Sequence, residues 1–466
     1  MDDRDTIKDA HQVFLWFREA AEKGDAYAQF NLGLIYKKGQ GIALNYERAF
    51  YWLGRAAVQG LAFAQNHFGA MHYNGRGTVR NDEEALRWFH KAAAQGDASA
   101  QQNLGQMYKK GRGTSADAEL AVHWYAKAAA QGMASAQTLL ADAYIDGCGI
   151  AQDDEQALNW YHKAAAQHDA QAQFRLGLLY KYGRAVPQNY ALALNWLLKA
   201  GQQGLSEAQR YIGIAYAEGL GVKEDMQHAL IWFSRAAEQG DVDSQFNVGV
   251  MHAEGLGVFK SNQRAFGWYK KAAQQGHVLA QYNLGSMYAN GRGVERSDEL
   301  ALAWYKMAAQ QGAVLAQFNL GVIFSQGQGV ARDYHEALLW YRRAAEQGDP
   351  GAQNNLGVMF AYGHGVAQSD IDAMLWYSKA AEQGYTLAQC NLGGMYQQGR
   401  DGQAHPAQDL VRAYMWFFLA AAGGDESAAR QRDAVSATMT AQQLEAAQEL
   451  VRAWQQSHAQ PAIERA

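Results

Sequence analysis

Cysteine is scarce. Cys148 and Cys390 are the only two in 466 residues, so neither a disulfide framework nor a Cys-rich zinc module can be built. Positive charge is not in excess, with 41 Lys and Arg against 46 Asp and Glu. A net charge of −5 lacks the field with which general nucleic-acid binders neutralise phosphates. No uninterrupted apolar run of membrane-spanning length occurs, which leaves a transmembrane helix without support. The first residues, Met1-Asp2-Asp3-Arg4-Asp5, are acidic where a secretory leader is basic. A cytoplasmic protein is expected, or a periplasmic one if a leader has been removed ahead of Met1. What the chain has in quantity is apolar: 48% hydrophobic residues against 19% charged, enough to bury a large core.

The apolar residues are periodic. Trp16, Trp52, Trp88, Trp124, Trp160, Trp196, Trp232, Trp268, Trp304, Trp340 and Trp376 follow one another every 36 residues. Trp416 comes 40 residues after the last of these, which places a four-residue insertion around Gly399–Gln403. A fixed period of this length marks a solenoid. In the period Met133–His168, a first helix is predicted over Ala134–Ile145, a break at Gly147-Cys148-Gly149, and a second helix from Asp154 to about Gln167. Seven residues before each tryptophan stands a short side chain able to cap the second helix: Asp9, Asn45, Asn81, Asp117, Asp153, Asn189, Asp225, Ser261, Ser297, Asp333, Ser369 and Asp409. The second helix then ends at glycine, as at Gly24, Gly60, Gly96, Gly132 and Gly204, with His168 the exception, where favourable interaction with the helix dipole is the expected substitute. Ala56 and Ala92, four after a tryptophan, and Gly33, Gly69 and Gly249 on the first helix are expected at crossing points where units stack, with the tryptophans and the tyrosines of the Tyr36 series as core.

The motifs Ala316-Gln317, Asn319-Leu320-Gly321, Gly327-Gln328-Gly329, Ala337, Trp340-Tyr341 and Ala344-Ala345 resemble the Sel-1-like repeat, a relative of the tetratricopeptide repeat. The resemblance implies an all-α, right-handed superhelical solenoid of about 25 antiparallel helices. The expected organisation is an N-terminal half repeat over 1–24, eleven repeats over 25–424 and capping helices over 425–466. It also implies that the face of the first helix bearing Tyr27, Phe30, Leu34, Lys37 and Lys38, with Asn31 at its edge, lines a concave groove.

At the Phe30 position Phe246, Tyr282 and Phe318 form a run. These rings are either anchors for a partner's apolar side chains or packing against the neighbouring unit. One residue later stand Asn247, Asn283, Asn319 and Asn355, part of a ladder with Asn31, Asn103 and Asn391. Their carboxamides either pair with an extended peptide or bond a neighbouring helix. Lys37, Lys109 and Lys181 make one end of this face basic, and Glu218 and Glu254 follow. Such a gradient orients a charged segment, or reflects solvated helix ends.

The histidines are scattered, no His-Glu-x-x-His occurs, and the glycines follow helices instead of strands. No catalytic residue, metal or cofactor is therefore expected, and Cys148 reads as a free surface thiol. The resulting expectation is a monomeric, non-enzymatic scaffold or adaptor holding a protein or peptide, without nucleic acid or membrane insertion. The resemblance admits a second role, an immunity protein neutralising a toxic secreted effector such as a lipase. A hydrolase is the third class, and no residue pattern speaks for it.

Overall fold

The computed structural model of the protein describes residues 3–400 and 406–458, and the side chains of these except 3–11 and 406–409. Among the described residues there are 25 helices and no strand. The chain divides into two compact units, Met1–Gln239 and Gly240–Ala466. The first holds α1 (Asp3–Glu22) and six helix pairs, beginning with α2 (Ala26–Lys38) and α3 (Tyr46–Val58) and including α9 (Asp154–Ala166), α10 (Ala170–Tyr182) and α11 (Tyr190–Gln202). The second holds five pairs: α14 (Val242–Glu254) with α15 (Asn262–Gln274), α16 (Val278–Asn290) with α17 (Asp298–Gln310), α18 (Val314–Gln326) with α19 (Tyr334–Glu346), α20 (Pro350–Tyr362) with α21 (Asp370–Glu382), and α22 (Thr386–Gln397) with α23 (Pro406–Ala422). It closes with α24 (Glu426–Ser436) and α25 (Ala441–Ser457), which bury Val435 and Ala447 against Phe417 and Ala420. Within each unit consecutive helices pack in chain order, giving the all-α solenoid that the period predicts. The insertion expected around Gly399–Gln403 falls largely outside the described residues.

The helix starts follow from local chemistry. Asn45, Asn81, Asp117, Asp153, Asn189, Asp225, Ser261, Ser297, Asp333 and Ser369 each accept a hydrogen bond from a backbone N–H of the first turn, an interaction worth about 1 kcal/mol per helix. Two expected caps are corrected. Asp9 and Asp409 lie inside helices that begin earlier, at Asp3 and Pro406. Proline is pre-organised for a first helical turn, which moves the start of α23 ahead of Asp409.

Glycines do two jobs. Those on the first helix, placed above at contacts between units, instead let the two helices of one pair meet: a Cβ on Gly249 would lie 2.6 Å from Cδ1 of Tyr269, and one on Gly321 would lie 2.4 Å from Cδ1 of Tyr341. In the Gly-x-Gly loops the second glycine presses on the first turn of the preceding pair's second helix, so that a Cβ on Gly293 would lie 2.4 Å from the Asn262 carbonyl carbon. Two non-glycine residues hold left-handed backbone at positions where most other repeats have glycine: His168 at φ 63° and Ala185 at φ 62°. His168 thus ends its helix with the left-handed backbone that glycine supplies in the other repeats.

Tryptophan and glutamine join successive pairs. Trp88 packs against Phe68 of its own pair and back onto Ala56 and Ala57 of the preceding one. No described residue precedes α1, and Trp16, expected in the core, is 66% exposed. On their outer sides Trp88, Trp124, Trp160, Trp196, Trp268 and Trp376 each carry the ammonium of the lysine three residues on, 3.9–4.7 Å from a ring centroid. Beneath them runs a buried row of glutamines, among them Gln29, Gln65, Gln101, Gln281, Gln317 and Gln353. Gln317 shows the pattern. Its Nε2 donates to the carbonyl of Ala309 at 3.1 Å, and its Oε1 accepts from Nε2 of Gln347 at 2.7 Å. One amide thus ties the end of α17 to the end of α19, leaving no buried polar group of its own unmatched.

Candidate functional site

The first helix of each pair presents the face that the sequence assigns to a partner. In the second unit Phe246, Tyr282 and Phe318 sit there half-buried. Each leans on the tyrosine of the next helix. Phe246 and Tyr269 have ring centroids 5.8 Å apart, Tyr282 and Tyr305 also 5.8 Å, and Phe318 and Tyr341 6.0 Å. Phe246 is further stacked on His277 at 4.4 Å. Part of each ring is therefore spent on packing. The more exposed apolar residues stand one turn earlier: Leu279 at 54% and Leu315 at 53%. Leu279 and Tyr282 share one side of α16, and Leu315 and Phe318 share one side of α18. Sequence reasoning placed the equivalent Tyr27 on this face but passed over the leucines; their signal was an apolar residue three before Tyr282 and Phe318, where Phe246 has Asp243.

The asparagine ladder is largely engaged within the protein. Asn283 hydrogen-bonds the Tyr269 hydroxyl, Asn319 that of Tyr305 and Asn355 that of Tyr341. Burial pushes the Tyr269 and Tyr305 hydroxyls up to about 12, so these bonds join neutral groups. Asn103 donates to Asn66 at 3.0 Å, Asn391 to Asn354 at 2.9 Å, and Asn31 to the Tyr27 carbonyl at 2.9 Å. Asn247 is half-buried on α14.

The three lysines of the first unit are not equivalent. Lys37 is half-buried with its Nζ 3.2 Å from Nδ1 of His67. Burial lowers the Lys37 pKa, and the neighbouring Arg76 and Lys38 charges lower it further. His67 is pushed down to about 4 by burial and by Lys37. Lys181 lies over Tyr211 at 4.6 Å, and Lys109 projects into solvent.

Two cavities open at the same place in the repeat, three repeats apart, near the C-terminal end of a first helix. One of about 210 Å³ is lined by Asp142, Asp146, Tyr161, Arg175, Tyr182 and Arg184. Most of its charges are paired: Asp142 accepts from Tyr161 at 2.6 Å and meets Arg175 at 3.1 Å, while Arg184 bonds Asp154 at 2.9 Å. The other, of about 190 Å³, is lined by Glu254, Lys260, Tyr269, Asn283, Ser286 and Arg292 among others. Among the described residues no group of three His, Cys, Asp or Glu is placed to hold a metal ion, and no helix is long and apolar enough to cross a membrane.

Helix pairs stacked in chain order, with no strand among the described residues, define an α-solenoid repeat protein. The chain belongs to the Sel1 repeat family, which it matches over twelve stretches from 4–25, 26–61 and 62–97 through 350–385 and 386–425. It is similar to a protective antigen present in uropathogenic Escherichia coli strains and displaying an SLR fold, with 35% identity, a TM-score of 0.77, and coverage of 96% of this chain and 95% of that one. It is also similar to a Sel1 repeat protein from Oxalobacter formigenes, with 32% identity, a TM-score of 0.50, and coverage of 67% of this chain and 89% of that one. An immunity protein from Pseudomonas aeruginosa matches at 21% identity and a TM-score of 0.28, over 46% of this chain and 81% of its own, a likeness too partial to carry a role across. No curated protein matches the chain.

Proposed function

We propose that the protein is a scaffold or adaptor that holds a protein or extended peptide against the first-helix face of its second unit. The observation that carries this reading is the exposed pair Leu279 and Leu315, each one turn ahead of a half-buried aromatic, Tyr282 or Phe318. Repeat stacking does not require apolar side chains at the leucine position, since four repeats of the first unit have Ser99, Ser135, Gln171 and Glu207 there, while its other two carry the exposed rings of Tyr27 and Phe63. Apolar groups that packing leaves in water are where a partner gains most by covering them. Lys109, exposed on the same face of the first unit, adds a charged group for registering a partner.

The test is affinity purification from the native host with three proteins: wild type, Leu279→Asp with Leu315→Asp, and Tyr282→Ala with Phe318→Ala. The leucine variant is the cleaner probe, because its side chains are not in the core. A specific partner lost from both variants, with the helical signal and thermal midpoint of the leucine variant unchanged, supports the assignment. Equal recovery of that partner by the wild type and the leucine variant removes this face from the reading.

A further inference from the structure

The residue that follows the first glycine of each inter-helix loop stands thirty positions after the first residue of the preceding pair's second helix, and in five repeats the two are matched. Arg112 bonds Asp82 at 2.7 and 3.0 Å, and Arg184 bonds Asp154 at 2.9 and 3.0 Å. Arg400 bonds Asp370 in the same way. Where the partner is aromatic the match is a ring contact: Arg76 lies 5.4 Å from the Tyr46 ring centroid, and His364 stacks on Tyr334 at 4.6 Å. Arg292 breaks the pattern. The residue thirty before it is Asn262, a neutral amide.

Arg292 has no carboxylate within ion-pair distance among the described residues; its Nη2 donates to Oγ of Ser286 at 2.9 Å. It stands at the wall of the 190 Å³ cavity between α14, α15 and α16. Glu254 lines the same cavity and lies 4.0 Å from Lys260, both side chains being exposed. Neither is paired with Arg292 among the described residues. Asn283 and Ser286 add polar groups beside it, and the volume suits one short side chain.

We propose that this cavity is a carboxylate subsite, in which Arg292 receives an acidic side chain or the C-terminal carboxylate of a peptide lying on the first-helix face. The inference rests on the scaffold reading and makes it more specific. The guanidinium fork matches a carboxylate in two parallel hydrogen bonds. In the repeats of Arg112, Arg184 and Arg400 that acceptor is built into the protein. Here the position that would hold it is an asparagine, so a ligand's carboxylate takes its place.

The test uses arrays of amidated octapeptides with mixed apolar residues and a central Glu or Gln, together with a third set that has no acidic side chain but a free C-terminus. These are probed with fluorescent full-length protein as wild type, Arg292→Gln and Asn262→Asp. The last keeps the arginine but supplies the missing internal partner, on the pattern of Asp82 and Arg112, and should fold at least as stably as wild type. Wild type is expected to retain the Glu set or the free-carboxylate set about fivefold over the Gln set, the gain of one favourable charged pair. Which of the two it prefers identifies the source of the carboxylate. Both variants should bring all sets level while keeping the Gln-set signal. A carboxylate preference that persists in both variants, or no preference in wild type, overturns the subsite and leaves the scaffold standing. Failure of wild type to retain any peptide set overturns both.

Discussion

Replacing Gln317 by methionine should cost about 2 kcal/mol, and the structure says why the figure is not larger. Methionine fills nearly the same volume, so no cavity opens, and what is lost is the pair of bonds to Ala309 and Gln347. Neither former partner is orphaned. The Ala309 carbonyl still accepts from the Gly312 N–H at 3.0 Å, and Gln347 Nε2 keeps the Arg343 carbonyl at 3.3 Å. Two net hydrogen bonds at roughly 1 kcal/mol each therefore set the magnitude. Gln317→Ala adds a buried void and should cost about 3 to 4 kcal/mol. Because one of the lost bonds joins α18 to the preceding pair, the change weakens coupling between neighbours as well as the repeat itself, so the denaturant transition should also broaden. Urea unfolding followed by helical ellipticity reads both effects. Combining Gln317→Met with Gln347→Ala should cost little more than Gln317→Met alone, since the bond between the two residues is already gone. A Gln317→Met midpoint within about 0.3 kcal/mol of wild type would refute the idea that these amides hold the stack together.

Two glycines in helices should respond oppositely to alanine. Gly321→Ala drives a Cβ into Tyr341 and should destabilise by about 1 to 3 kcal/mol despite its better helix propensity, whereas Gly267→Ala, whose added methyl would meet no heavy atom within 4 Å, should gain up to about 1 kcal/mol; thermal melts that rank the two the other way would contradict the packing described. The histidine pressed against Lys37 gives a pH dependence. His67 is pushed down to about 4 in the folded protein, so between pH 6.5 and 4 the unfolded chain takes up a proton that the folded one does not, and stability falls as pH falls through that window, by at most about 3 kcal/mol. His72, His90 and His162 are also lowered by burial and add to the slope, so His67→Gln should flatten the profile without abolishing it; an unchanged profile would show that the imidazole is not held neutral.

The period, the helix pairs and ten of the caps were legible because each is set by residues within a few positions: a short polar side chain at a helix start, a glycine where φ is positive. The ends were harder, since Asp9 and Asp409 carry the cap residue type while α1 and α23 start further upstream. Gln347 could not be read as the partner of Gln317, because nothing local distinguishes a buried amide from an exposed one; only the stacking of α17, α18 and α19 brings them together. The candidate site shows the same limit. Helical periodicity puts Leu279 and Tyr282 on one face, but the helix that follows decides which of them it covers, and Tyr305 covers the aromatic. The Arg292 cavity was invisible for a further reason, since its meaning comes from comparing residues thirty apart across several repeats.

His168 and Ala185 stand on either side of α10, one in the turn that enters it and the other in the loop that leaves it. Left-handed backbone at a residue with a Cβ costs on the order of 1 kcal/mol, and no other helix of the described chain is bracketed by two such turns. Letting α10 come loose relaxes both at once. Under heat or tension the turns on either side of α10 are therefore the expected place for the first unit to part into shorter stacks.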